Sequence, residues 1–116
     1  SSVAHNNLAN IYNQINPNKA ESHYLKVLEL TPNDPMPYIN ISNYYLKNTK
    51  YKKCVKVLEE AIKKQLKTKE LLNNLGIAYL ATKENEKSKS MFEEALKIDP
   101  NYKPAMDNLA NLAKIE

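Results

Sequence analysis

Arginine is absent from this 116-residue chain, and all 17 of its basic side chains are lysines. The guanidinium group is the one best shaped for bidentate recognition of phosphates, carboxylates and base edges. Its absence argues against a nucleic-acid partner even at a formal net charge of +4. A single glycine and six scattered prolines leave little material for turn-rich sheets or flexible linkers, and favour helices with short connections. One cysteine cannot close an internal disulfide, which points to an intracellular, cytoplasmic setting. No stretch approaches the roughly 18 apolar residues needed to cross a bilayer. Membrane insertion is therefore not expected, and no secretory leader pattern opens the sequence. His5 and His23 have no neighbouring cysteine or carboxylate partner, so neither reads as a metal ligand. No catalytic dyad or triad and no glycine-rich phosphate loop is found. The expectation is a protein that is not an enzyme and takes no cofactor.

What is present is a repeated helical pattern. Leu72, Leu75, Gly76 and Tyr79 share one stripe of a helix, and Ser88, Phe92, Ala95 and Pro100 follow as a second set. The same frame holds Tyr38, Ile41, Ser42 and Tyr45, then Cys54, Leu58 and Ala61. It also holds Leu8, Ala9 and Tyr12, then Ala20, Tyr24, Val27 and Pro32. Met106, Leu109, Ala110 and Ala113 begin it once more. The period is about 34 residues. It divides the chain into units of about 2–34, 35–68 and 69–102 with a partial unit 103–116; the first unit is one residue short at the turn Asn16–Pro17–Asn18. Asp34 before Pro35 reads as a helix cap followed by proline in the first turn. Leu66 stands where the other units close on proline, so that junction is expected to be less sharply stopped. Cys54 falls at a small buried position and reads as an inert core thiol. This spacing resembles the tetratricopeptide repeat over nearly the whole chain. The resemblance implies an all-α, right-handed solenoid of three helix–turn–helix repeats plus a C-terminal helix, one domain over 1–116, acting as a protein-interaction scaffold.

Each hairpin has one apolar stripe and buries it only by stacking on neighbours. Positions four, seven, eight and eleven of each first helix make that stripe, within about 100° of arc. Positions two, five, six, nine, twelve and thirteen point the other way, toward the concave wall that solenoids use for binding. Asn7, Asn40, Asn74 and Asn108 all fall at position six; Asn10, Asn43 and Asn111 fall at position nine, where Ile77 interrupts the series. A carboxamide offers both a donor and an acceptor. A column of them suits the backbone of an extended peptide, with Ile39, Leu46, Ile77 and Leu80 as apolar pockets alongside. On this reading Asn40 and Asn74 grip the peptide and are removable with little effect on stability. Asparagine is abundant, 16 of 116 residues, so part of the alignment is compositional.

The runs Asn7-Leu8-Ala9-Asn10 and Asn108-Leu109-Ala110-Asn111 resemble the repeat superhelix of the O-linked N-acetylglucosamine transferases. That resemblance implies an asparagine ladder holding a substrate backbone, and an alternative role as the substrate-recruiting portion of a larger glycosyltransferase. Tetratricopeptide domains that clamp acidic chaperone tails are similar too, but the positions that carry their cations are here Asn6, Glu70 and Asn74, or Ile39, Pro104 and Asn108 one repeat on. Only the asparagines Asn10 and Asn40, or Asn43 and Asn74, match. The lysines from Lys47 to Lys69 read as a solvated outer face, with an acidic partner or an RNA backbone as the alternative. Leu109, Leu112, Ala113 and Ile115 make the last helix more apolar than one hairpin can cover, so self-association through it is expected.

Overall fold

A computed structural model describes residues 17–115 as six helices: α1 (Pro17–Leu30), α2 (Pro35–Lys47), α3 (Tyr51–Lys63), α4 (Lys69–Ala81), α5 (Asn85–Ile98) and α6 (Lys103–Ile115). No strand occurs among the described residues. The fold is an all-α solenoid. Helices α2 and α3 form one hairpin, α4 and α5 the next, with α1 before them and α6 after.

Helix starts follow local chemistry. Asp34 accepts a hydrogen bond from the Met36 N–H at 3.0 Å, and Pro35 takes the first helical turn. Thr68 caps α4 through the Leu71 N–H at 3.1 Å. The ends share one device. Thr49, Gln65 and Lys83 sit at φ 57°, 64° and 65°, and the next N–H in each case returns to a carbonyl five residues back. These bonds are Lys50 to Tyr45 at 2.8 Å, Leu66 to Ala61 at 3.0 Å and Glu84 to Tyr79 at 2.8 Å. Such a left-handed residue closes a helix and satisfies its last carbonyls. The Leu66 junction is thus closed by the same backbone bond that ends α2 and α4, in place of proline.

Small residues let the two helices of a hairpin approach. A Cβ added at Gly76 would overlap the ring of Phe92. Ser88 Oγ donates to the Gly76 carbonyl at 2.7 Å, and Cys54 Sγ faces the Ser42 carbonyl at 3.8 Å in the equivalent place. Burial pushes the Cys54 thiol up to about 12, which makes it inert at neutral pH.

Positions three and ten are buried as well: Pro37, Leu71 and Ala105, then Tyr44, Ala78 and Leu112. Helix α6 explains why. Among the described helices it packs chiefly on α5 and, more lightly, on α4, and the residues it buries are Ala105 and Leu112. Those two positions therefore face the preceding hairpin, whereas position eight faces the helix that follows; position eleven, at Tyr45 and Tyr79, reaches back to the preceding second helix as well. Each first helix needs both faces because it lies between two layers.

Curvature comes from unequal spacing. Helix α2 packs on α4 and α4 on α6, whereas the second helices α1, α3 and α5 barely touch one another. A stack that is tight on one side and splayed on the other is concave on the tight side. The inner wall therefore belongs to α2, α4 and α6.

Candidate functional site

The inner helices carry the sequence-predicted site residues in three states. Asn43 and Asn111 are exposed, and Asn40 and Asn108 are half-buried. Asn74 is only 9% exposed, and both of its amide hydrogens are engaged: Nδ2 donates to Ser42 Oγ at 2.9 Å and to Asn43 Oδ1 at 2.8 Å. Asn108 Nδ2 donates to Asn73 Oδ1 at 3.0 Å. Asn7 and Asn10 lie outside the described residues.

This corrects the ladder in one respect. Asn74 is a clasp between α2 and α4, with no N–H left over for a guest, and its loss should be felt in stability. The two clasps also differ in register. Asn74 reaches position nine of the preceding helix, whereas Asn108 finds Ile77 there and turns to Asn73 at position five. Sequence reasoning passed over Asn73 and took Ser42 for a packing residue alone. The signal for them was a second polar residue beside the ladder, at a distance of about one repeat.

Ile39 also needs correction. At 8% exposure it belongs to the core around Tyr38, Tyr44 and Leu71. Leu46, Ile77 and Leu80 are half-buried: Leu46 rests on that same core, and Ile77 and Leu80 rest on the core around Phe92 and Leu112. They keep some apolar surface beside Asn43 and Asn111. Among the inner-helix positions two, five, six and nine, the residues from Met36 to Asn111 include Glu70 and Asp107 but no lysine.

The lysine run is largely tied into the scaffold. Glu21 of α1 accepts from the Tyr45 hydroxyl at 2.8 Å and from Lys53 at 3.0 Å, with Lys50 at 3.7 Å. Burial alone would raise the Glu21 pKa, but the Tyr45 and Lys53 hydrogen bonds and the two lysine charges outweigh it, and the net shift is downward. Lys64 donates to the Tyr38 hydroxyl at 2.9 Å, Lys67 meets Glu94 at 3.5 Å, and Lys69 meets Asp99 at 2.7 Å. A cleft of about 520 Å³ opens between the hairpin turns, lined by Thr49, Lys50, Tyr51, Lys52, Lys53, Ala81 and Thr82. Two of its lysines are already committed to Glu21. No three of His, Cys, Asp and Glu converge to hold a metal among the described residues, and none of the described helices is long and apolar enough to cross a membrane.

Tetratricopeptide repeat families match residues 69–102 and 23–56, together more than half of the sequence. The chain belongs to the tetratricopeptide repeat family. No curated protein matches this tetratricopeptide chain. Among solved structures it resembles the first tetratricopeptide domain of Spaghetti (RPAP3) bound to the HSP90 peptide SRMEEVD, with a TM-score of 0.88 at 20% identity over 98% of this chain and 91% of that one. The tetratricopeptide domain of Arabidopsis OM64 aligns over 100% and 97% with a TM-score of 0.88 at 20% identity. The second such domain of human RPAP3, in complex with the HSP70 peptide SGPTIEEVD, aligns over 97% and 94% with a TM-score of 0.86 at 19% identity.

Proposed function

We propose that this tetratricopeptide domain is a protein-interaction scaffold whose inner wall holds an extended, uncharged segment of a partner protein. The observation that carries the reading is the concave wall of α2, α4 and α6, where carboxamides and half-covered aliphatic side chains stand together. Asn40, Asn43, Asn108 and Asn111 supply donors and acceptors for a peptide backbone. Leu46, Ile77 and Leu80 supply apolar contact between them. Asn74 acts indirectly, by holding Asn43 in place.

The peptides in complex with the two structural neighbours, SRMEEVD and SGPTIEEVD, are acidic at their ends. At the positions where the acidic-tail clamps carry their cations this chain has Glu70 or uncharged residues, so an acidic tail finds no counter-charge there. The partner segment is neutral or mildly basic. Binding in the cytoplasm, with no catalytic step by this domain, completes the proposal.

Three labelled ten-residue peptides test it: one neutral and blocked at both ends, one acidic with a free C-terminus, one basic. The neutral peptide should bind, and the acidic one should bind at least about tenfold more weakly. Asn43→Ala with Asn111→Ala should weaken the neutral peptide about fivefold; because Asn74 loses an acceptor, the unfolding midpoint should also fall by several degrees, and binding is compared well below it. Equal binding by the double variant removes the carboxamides from the site. Preference for the acidic peptide, collapsing as salt is raised, would assign binding to the lysine face.

A further inference from the structure

The start of α3 is basic in a way the repeat frame does not require. Lys50, Tyr51, Lys52 and Lys53 stand there, where α5 has Glu84, Asn85, Glu86 and Lys87. Only the last position agrees. These lysines border the cleft of about 520 Å³ between the turns that follow α2 and α4. A second hollow of about 370 Å³ shares Lys52 and Thr82 with it and extends past Val55 to Glu84. Carbon lines part of the surface, since Tyr51 and Val55 are half-buried and Ala81 is exposed. None of Asn40, Asn43, Asn108 and Asn111 borders either hollow.

What a lysine pairs with in this chain is on view three times. Lys50 Nζ lies 5.8 Å from the centre of the Tyr44 ring and 3.7 Å from the Glu21 carboxylate. Lys69 lies 5.1 Å from the Tyr102 ring and 2.7 Å from Asp99. Lys87 lies 5.6 Å from the Tyr79 ring and 3.3 Å from Glu84. Each ammonium group meets both a ring and a carboxylate. Lys52 is exposed and meets neither among the described residues. One carboxylate, Glu21, serves both Lys50 and Lys53, and Glu84 at the far end is taken by Lys87. The cleft therefore keeps an excess of positive charge.

We propose that this cleft is a second recognition site, taking a partner segment in which an aromatic side chain stands between carboxylates. The ring packs against Tyr51, Ala81 and Val55, and the carboxylates meet Lys52. The occupant thus gives Lys52 the two contacts that Lys50, Lys69 and Lys87 find within the chain. A cleft of this size is in the range of ligand pockets. At a wet surface an ammonium–ring contact and an ion pair are each modest, so a segment with only one of them is a poor ligand. That combination separates the cleft from the inner wall, where the segment is uncharged.

Three blocked pentapeptides test it on the isotope-labelled full chain, read by amide shifts: glycine-flanked Glu-Phe-Glu, Glu-Ala-Glu and Gln-Phe-Gln. Glu-Phe-Glu should give saturable shifts at Thr49, Lys52, Ala81 and Thr82, and the other two should bind at least about threefold more weakly. Lys52→Glu should abolish the shifts. The fold should tolerate that change, because Glu86 stands at the same place in α5 and an acidic residue suits the first turn of a helix; an unchanged unfolding midpoint checks it. Lys97→Glu, the same charge change at the far end of α5, should leave binding within about twofold. Equal losses in the two variants would reduce the effect to net charge and overturn the proposal. So would equal binding of Glu-Ala-Glu, shifts at Asn43 and Asn111 instead, or no saturation at about 10 mM peptide. Inorganic pyrophosphate that binds more tightly at Lys52 would assign the cleft to phosphate, which also overturns it.

Discussion

The hairpins α2–α3 and α4–α5 are built on one frame but solve the same packing problem differently. In the first, Ser42 faces Cys54 and Leu58; in the second, Gly76 faces Ser88 and Phe92. The larger ring on α5 is matched by the smaller residue on α4, and α4 and α5 meet along more of their length than α2 and α3 do. The volume is conserved across the pair of positions, as close packing demands. The lesson is that position eight and the large residue on the second helix form one unit, and neither is interpretable alone.

Breaking that unit should give the largest effects. Phe92→Ala leaves a cavity in a fully buried site and should lower stability by about 3–5 kcal/mol, against about 2–5 kcal/mol for Leu58→Ala. Gly76→Ser should cost about 1–3 kcal/mol by overlap with the ring. Adding Phe92→Leu to Gly76→Ser recreates the first hairpin's pair, and the double variant should be more stable than the sum of the single changes by at least about 1 kcal/mol. Denaturant unfolding of the four chains measures this. Strict additivity would show that the two positions are not coupled and that the difference between the hairpins lies elsewhere.

A smaller contrast separates the two amide clasps. Asn74 is nearly buried and fills both N–H bonds, whereas Asn108 is half-exposed and fills one. Asn74→Ala leaves Ser42 and Asn43 without their donor and should lower stability by about 1–2 kcal/mol. Asn108→Ala removes one hydrogen bond to the buried Asn73 where Asn74→Ala removes two, and should cost about half as much, about 0.5–1 kcal/mol. Thermal unfolding of the two variants orders them. Equal losses would mean that burial at Asn74 adds nothing.

These contrasts mark how far the sequence could be read. Helix pairing, the small residues at Ser42 and Gly76, and the Asp34–Pro35 start all follow from periodicity and residue type, which report on one helix at a time. Which face each first helix shows to the preceding hairpin was missed, because positions three and ten hold Pro37, Tyr44 and Ala105, residues with no common pattern. The amide clasps were missed for a related reason. A carboxamide is equally suited to a guest and to a neighbour, and the choice at Asn74 rests on whether Asn43 or Ile77 stands opposite in the adjacent repeat. That is a distance between helices, and no single-helix signal contains it. Ile39 reads as a groove residue by position, yet it is drawn into the core by its own apolarity.

The last contrast lies on the outer side. Tyr45 donates to Glu21 at 2.8 Å and Tyr79 donates to Glu59 at 2.5 Å, so each inner helix is bonded to the second helix of the preceding unit. Both hydroxyls are held above the usual tyrosine range, by burial first and then by the carboxylate each one faces. Glu21 alone of the two carboxylates also has two lysines, Lys50 and Lys53. Its folded pKa is depressed below the ordinary 4.5. A depressed carboxylate contributes stability that is present above its unfolded pKa and is lost as pH falls through the folded value. The link from α1 to the next hairpin should therefore hold at pH 7 and weaken below about pH 4.5. Solvent screening keeps the effect to a few tenths up to about 1 kcal/mol. Glu21→Gln should lower the unfolding midpoint slightly at neutral pH and flatten its fall between about pH 5 and pH 3 relative to the parent chain. Lys50→Met with Lys53→Met should remove most of the same dependence while leaving the Tyr45 hydrogen bond in place. If the Gln variant tracks the parent at every pH, the lysines hold Glu21 in position without stabilising its charge.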